Sequence, residues 1–74
     1  MPVIKRFNGY VLRMYFDDHN PPHVHVVGPE FQALVAIDDQ RILAGEIPPQ
    51  HRREAIAWIA ANTEALMTEW ERMH

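Results

Sequence analysis

Hydrophobic periodicity changes once along this chain, at Pro48-Pro49, and that change limits what the chain can build. Before it, apolar residues alternate with polar ones in short runs cut by turn residues. After it, Ile56, Ile59, Thr63, Leu66, Trp70 and Met73 recur at alternating steps of three and four. A period of two belongs to strands and one near 3.6 to helices. The pattern therefore predicts the α+β class: a small antiparallel sheet of four to five strands, with a long C-terminal helix packed on one face. Residues 1–74 are read as one α+β domain, since a chain this short supports one core and no more.

The strands follow from the turn signals. Val3 to Phe7 is a short alternation, and Asn8-Gly9 behind it announces a hairpin with a type I′ turn. Tyr10 to Phe16 reads as the second strand, with Leu12, Met14 and Phe16 facing the core and Val11, Arg13 and Tyr15 facing away. Asp17 to Pro22 is a loop stiffened by Pro21-Pro22. Alternation resumes over His23 to Val27, and Phe31 to Ile37 is a nearly continuous apolar run suited to a central strand. Arg41 to Ile47 is a last edge strand interrupted by Gly45.

Two prolines suit the helix entrance, where a missing N–H costs nothing. Unbroken from Pro49 to Met73, the helix would run roughly 37 Å, whereas strands of five to seven residues reach only about 17–24 Å. Its second half must overhang the sheet, kink near Asn62-Thr63, or pack on a second copy. The last is the expectation, which makes the protein a homo-oligomer joined through Leu66, Trp70 and Met73. His51-Arg52-Arg53 at the helix start opposes the helix dipole; a solvated first turn explains it, and an anionic partner would offset it. Trp58 flanks the stripe and could mark a partner surface.

Composition removes several function classes. The sequence has neither cysteine nor serine, so disulfides, thiolate metal sites and both of those nucleophiles are out. No glycine lies in a strand-to-helix phosphate loop. No apolar run has the length of a leader or a bilayer span, so cytoplasmic residence away from membranes is expected. A net charge of −3 argues against general nucleic-acid coating, although Lys5, Arg6 and Arg13 make the first sixteen residues basic, with no acid among them.

The chemistry concentrates in Asp17-Asp18-His19-Asn20-Pro21-Pro22-His23-Val24-His25, which holds three of the five histidines. If His23 and His25 share a strand, period two puts both rings on one face, and Asp18 and His19 can reach them from the loop. Three imidazoles and a carboxylate suit zinc or another borderline divalent ion. The plain alternative is a polar turn whose histidines cap backbone groups. Arg13 and Tyr15 of the neighbouring strand share that face. With His23 and His25 they would pair a guanidinium for an anionic oxygen with imidazoles for proton transfer and a phenol as donor or stacking surface, enough to cleave a phosphodiester without a metal. Alternatively, Arg13 and Tyr15 are ordinary solvent-facing strand residues.

Pro2-Val3-Ile4, Phe7-Asn8-Gly9-Tyr10, the run from Tyr15-Phe16 through Asp17-Asp18-His19-Asn20-Pro21-Pro22-His23-Val24-His25, and the later Trp58 and Trp70 are similar to the small bacterial proteins classed as domain of unknown function 4160. The resemblance covers essentially the whole chain. Val24 stands where an aromatic residue is common, and the tail after Trp70 is shorter than usual. The resemblance implies a component of a toxin–antitoxin-type gene pair, with a cognate small protein partner, and it raises Asp18, His19, His23 and His25 as site residues. Three functions are expected in competition. One is a toxin–antitoxin-like module, in its sharpest form a ribonuclease with His23 or His25 as acid and base and Arg13 on the RNA phosphate. The second is a divalent-metal-binding module through His19, His23 and His25. The third is a non-enzymatic regulator or adaptor.

Overall fold

The structure, a computed structural model, describes residues 3–74. Five strands form one antiparallel sheet: β1 (Val3–Phe7), β2 (Tyr10–Arg13), β3 (His23–Val27), β4 (Gln32–Ala36) and β5 (Ile42–Gly45). They lie in chain order, each paired with the next. Two helices follow, α1 (Pro49–Ala61) and α2 (Thr63–Met73).

Period two does what the sequence leads one to expect. Leu12 of β2 lies opposite Val26 of β3, which lies opposite Ala33 of β4, and Val24 lies opposite Val35. All five are fully buried and meet Ala55, Ile59, Leu66, Trp70 and Met73 of the helices in the core. The other face carries Val11, Arg13, His25, Val27 and Leu34, which are half-buried.

Four expectations need correction. The first concerns β2, which ends at Arg13 instead of Phe16. Leu12 and Met14 are buried as foreseen, but the backbone turns after Met14, closed by Asp18 N–H donating to Tyr15 O, and Phe16 is left 67% exposed. The second concerns the hairpin: of Asn8 and Gly9 only Gly9 takes a positive φ, 98°, so the loop is not the type I′ turn, which needs both.

The third is the helix, which is two helices. At Asn62 the backbone leaves the helical region (φ −123°, ψ 23°). Asn62 Nδ2 donates to Trp58 O, the carbonyl the break releases, while Ile59 O accepts the Asn62 backbone N–H and lies 3.1 Å from Thr63 Oγ1. Each helix is then about 17–20 Å long and matches the sheet. The fourth follows from it. The break returns Leu66, Trp70 and Met73 to the core of a single copy, which removes the exposed stripe that motivated self-association through them. Trp58 likewise packs edge-on against Phe7, with ring centres 6.1 Å apart.

Gly45 ends β5, where the sequence led one to expect an interruption within a strand running on to Ile47. It has a φ of +74°, and a Cβ there would lie 2.1 Å from the carbonyl oxygen of Gln32. Pro48 and Pro49 open α1, whose first turn has no acid; Arg52 donates to Ile47 O. No helix among the described residues is long and apolar enough to cross a membrane.

Candidate functional site

The turn after β2 and the start of β3 meet at one end of the sheet. The turn brings in Asp18, and period two puts His23 and His25 on the same face of β3, with ring centres 5.2 Å apart. One carboxylate oxygen collects both rings: Asp18 Oδ1 lies 3.0 Å from His25 Nε2 and 3.6 Å from His23 Nε2. Within this trio one ligand atom per residue lies within 4.8 Å of the others.

Each side chain is oriented from behind. His23 Nδ1–H donates to Pro21 O over 2.8 Å. That bond fixes the tautomer, so in the neutral ring Nε2 carries the lone pair turned toward Asp18. A lone pair and a carboxylate oxygen repel each other and together attract a cation. His25 is set the other way: Nε2–H donates to Asp18, and Gln32 Nε2 donates to Nδ1 over 3.3 Å. Tyr15 N–H donates to Asp18 Oδ2 over 3.0 Å. Burial pushes the Asp18 carboxyl up, but the hydrogen bonds from His25 and Tyr15 N–H, with the charges of His25 and His23, outweigh it and hold Asp18 below the ordinary carboxylate value.

The trio opens on a groove of about 510 Å³ lined by Asp17, His19, Asn20 and Pro21 on the loop side and Leu34, Leu43 and Ala44 on the sheet side. His19 therefore borders the groove, exposed, but is not one of the converging ligands. Tyr15 sets its ring edge-on to His25 at 4.5 Å. Arg13 lies directly across from His25 on the same face, as expected, yet does not line the groove.

Two neighbours escaped the sequence. Trp70 of α2 packs beside His23, with ring centres 5.4 Å apart, so His23 is buried to 6% exposure against a helix instead of standing open. Val24 and Val26 are the fully buried side of the strand, as read, but the expectation that His23 lies on an uncovered face fails. His23 is the first residue of β3, at the end of the sheet, where α2 can reach around to it. Gln32 is the other. Its signal was a polar residue opening an otherwise apolar strand at period two from Leu34.

Chemically, the set offers two imidazole nitrogens and a carboxylate oxygen beside a wet groove, a combination suited to a divalent cation or to proton transfer. No curated protein and no solved structure matches the chain significantly. The family model described as Domain of unknown function (DUF4160) matches residues 9–71, and the chain belongs to that family.

Proposed function

We propose that the protein is a divalent-metal-binding module in which Asp18, His23 and His25 hold a zinc-class ion with one coordination position open to the groove. The observation that carries this is the convergence of both imidazoles on Asp18. Two ligands about 2.05 Å from a tetrahedral ion stand about 3.3 Å apart, and the separations here are 3.0 and 3.6 Å. His23 also has the outer support that metal-bound histidines use, an N–H held by a backbone carbonyl. His25 would release its Nε2 proton on binding, with the Gln32 amide turning over to accept from Nδ1. Two nitrogens and one oxygen favour zinc or a similar borderline ion over calcium or magnesium. A three-ligand site of this kind leaves room for a bound water, which the ion makes acidic, and so suits hydrolytic work.

The metal-free ribonuclease reading draws on the same histidines but also asks Arg13 to share their groove, and Arg13 lies outside it. Trp70 beside His23 further limits that ring as a free acid or base. The toxin–antitoxin-type setting and the cognate partner that the family resemblance implies are compatible with a metal-dependent module and add no residue to it. The adaptor reading gains no specific contact.

The test is a zinc titration of the untagged protein by calorimetry, with Trp70 fluorescence as a second signal because it packs beside His23. One ion per chain is expected. Asp18→Asn and His25→Gln should lose it while keeping the parent's far-ultraviolet circular dichroism. A parent that binds no stoichiometric metal, or variants that bind it like the parent, would refute the proposal.

A further inference from the structure

The sheet face beside the trio carries unpaired positive charge. Arg13 lies directly across from His25, and Arg6 of β1 directly across from Val11, so both arginines stand on the face away from the helices. Ion pairs among the described residues join Asp18 to His23 and His25, Arg41 to Asp39 and Arg72 to Glu69; neither Arg6 nor Arg13 has one. Strand rise and spacing set their Cα atoms about 8 Å apart on a diagonal. No acid occurs in β1 or β2; the nearest along the chain are Asp17, exposed at the groove and in no ion pair among the described residues, and Asp18, held by the histidines.

A second, independent feature lies next to this charge. Phe16 is the most exposed large apolar side chain among the described residues, and it occupies the same turn that delivers Asp18. An aromatic ring held out into water on the turn between Arg13 and Asp18 is a stacking surface for a flat partner.

Two guanidiniums spaced along a sheet face, with an exposed ring on the turn that follows β2, match a ligand that repeats phosphates and offers unpaired base faces. We infer that single-stranded nucleic acid docks across β1, β2 and β3, with Arg6 and Arg13 on backbone phosphates and Phe16 against a base, which aims the strand at the groove of Asp18, His23 and His25. A duplex hides the base faces that Phe16 needs and docks poorly. The docking rests on the proposed metal site for its purpose and not for its affinity. With two phosphates neutralised, log K should fall with log salt at a slope of about −1.4 for a single strand.

The experiment measures fluorescence anisotropy of a labelled oligouridylate of about twelve nucleotides, single-stranded or in duplex, with the full zinc-incubated chain. The single strand should bind at least tenfold tighter than the duplex. Phe16→Ala should weaken binding about fivefold or more with the salt slope unchanged, the loss of one stacked base. Arg13→Ala should bring the slope to about −0.7. Zinc titrations run on the same samples separate the two proposals. A parent that binds zinc but not the oligonucleotide overturns the docking and leaves the metal reading standing; one that binds the oligonucleotide but not zinc does the reverse. Equal binding of duplex and single strand, or variants that bind like the parent, would also overturn the docking.

Discussion

Replacing His23 by alanine should destabilise this protein substantially even with no metal present. Its Nδ1–H donates to Pro21 O, a bond worth about 1 kcal/mol net. The ring is buried and packs beside Trp70 and His25. Deleting its five atoms opens a void on the order of 60 Å³, which at about 24 cal/mol per Å³ costs roughly 1.4 kcal/mol. Asp18 keeps its bonds from His25 and Tyr15 N–H, so no large electrostatic loss is added. The sum is about 2–3 kcal/mol, against a total stability of about 4–11 kcal/mol for a chain of this size. A domain of this length loses about 4–8 °C of melting temperature per kcal/mol, so the shift should be roughly 8–24 °C. Urea unfolding in the presence of a chelator, followed by tryptophan fluorescence, measures it directly. His25→Ala should cost stability by a different route, loss of the hydrogen bond to Asp18, because His25 borders the groove. A His23→Ala variant within about 0.5 kcal/mol of the parent would refute the reasoning. It also follows that His23→Ala confounds loss of chemistry with loss of fold, whereas Asp18→Asn and His25→Gln do not.

Gly45→Ala should cost 2 kcal/mol or more, since its Cβ would meet the Gln32 carbonyl at a positive φ; a thermal melt unchanged from the parent would contradict this. Burial first, then the hydrogen bond to Glu54 and its charge, push the Tyr10 hydroxyl above its ordinary value of 10.0. Above about pH 10 the unfolded chain therefore loses a proton that the folded one keeps, and stability should fall by up to about 1.4 kcal/mol per pH unit. Urea midpoints of the parent and Tyr10→Phe should converge as pH rises from 9 to 11.5, and parallel curves would count against the burial of that hydroxyl. Trp70→Glu should unfold the protein, because Trp70 is only 5% exposed; a folded, soluble monomer would place Trp70 at an interface between copies instead.

What the sequence made legible was the part governed by period and turn chemistry. Leu12, Val24 and Val26 could be assigned to the core, and His23 and His25 to a common face, because strand alternation depends on neighbours alone. Asn8-Gly9 marked the hairpin, but not which turn, since the local twist decides whether Asn8 also takes a positive φ. Phe16 was misplaced for a related reason. Alternation predicts a side for each residue only while the strand lasts, and β2 ended at Arg13, where the Asp18 turn draws the chain away. His19 shows the same limit, because a loop residue's position depends on contacts that no period encodes. Trp70 could be recognised as apolar stripe but not as the neighbour of His23, a relation set by where α2 turns.

That turn connects the fold to the site. Had the helix continued straight past Ala61, it would have run on beyond strands only about 17 Å long and carried Trp70 away from β3. Asn62 makes the break tolerable: its side-chain amide donates to Trp58 O while its backbone N–H, with the Thr63 hydroxyl, is directed to Ile59 O. Thr63 Oγ1 also lies 3.5 Å from Ile37 O, just beyond the end of β4, and Ile37 N–H donates to Pro22 O. Pro22 precedes His23, whose ring is held by the carbonyl of Pro21 on one side and packed beside Trp70 on the other. The helix break, the end of β4 and the proline loop thus bear on the same imidazole from three directions. A 74-residue chain without cysteine has few means of holding a polar group rigid. Here rigidity comes from converging backbone hydrogen bonds and one indole, and it leaves His23 with a single free nitrogen turned toward Asp18, the arrangement a metal ligand requires.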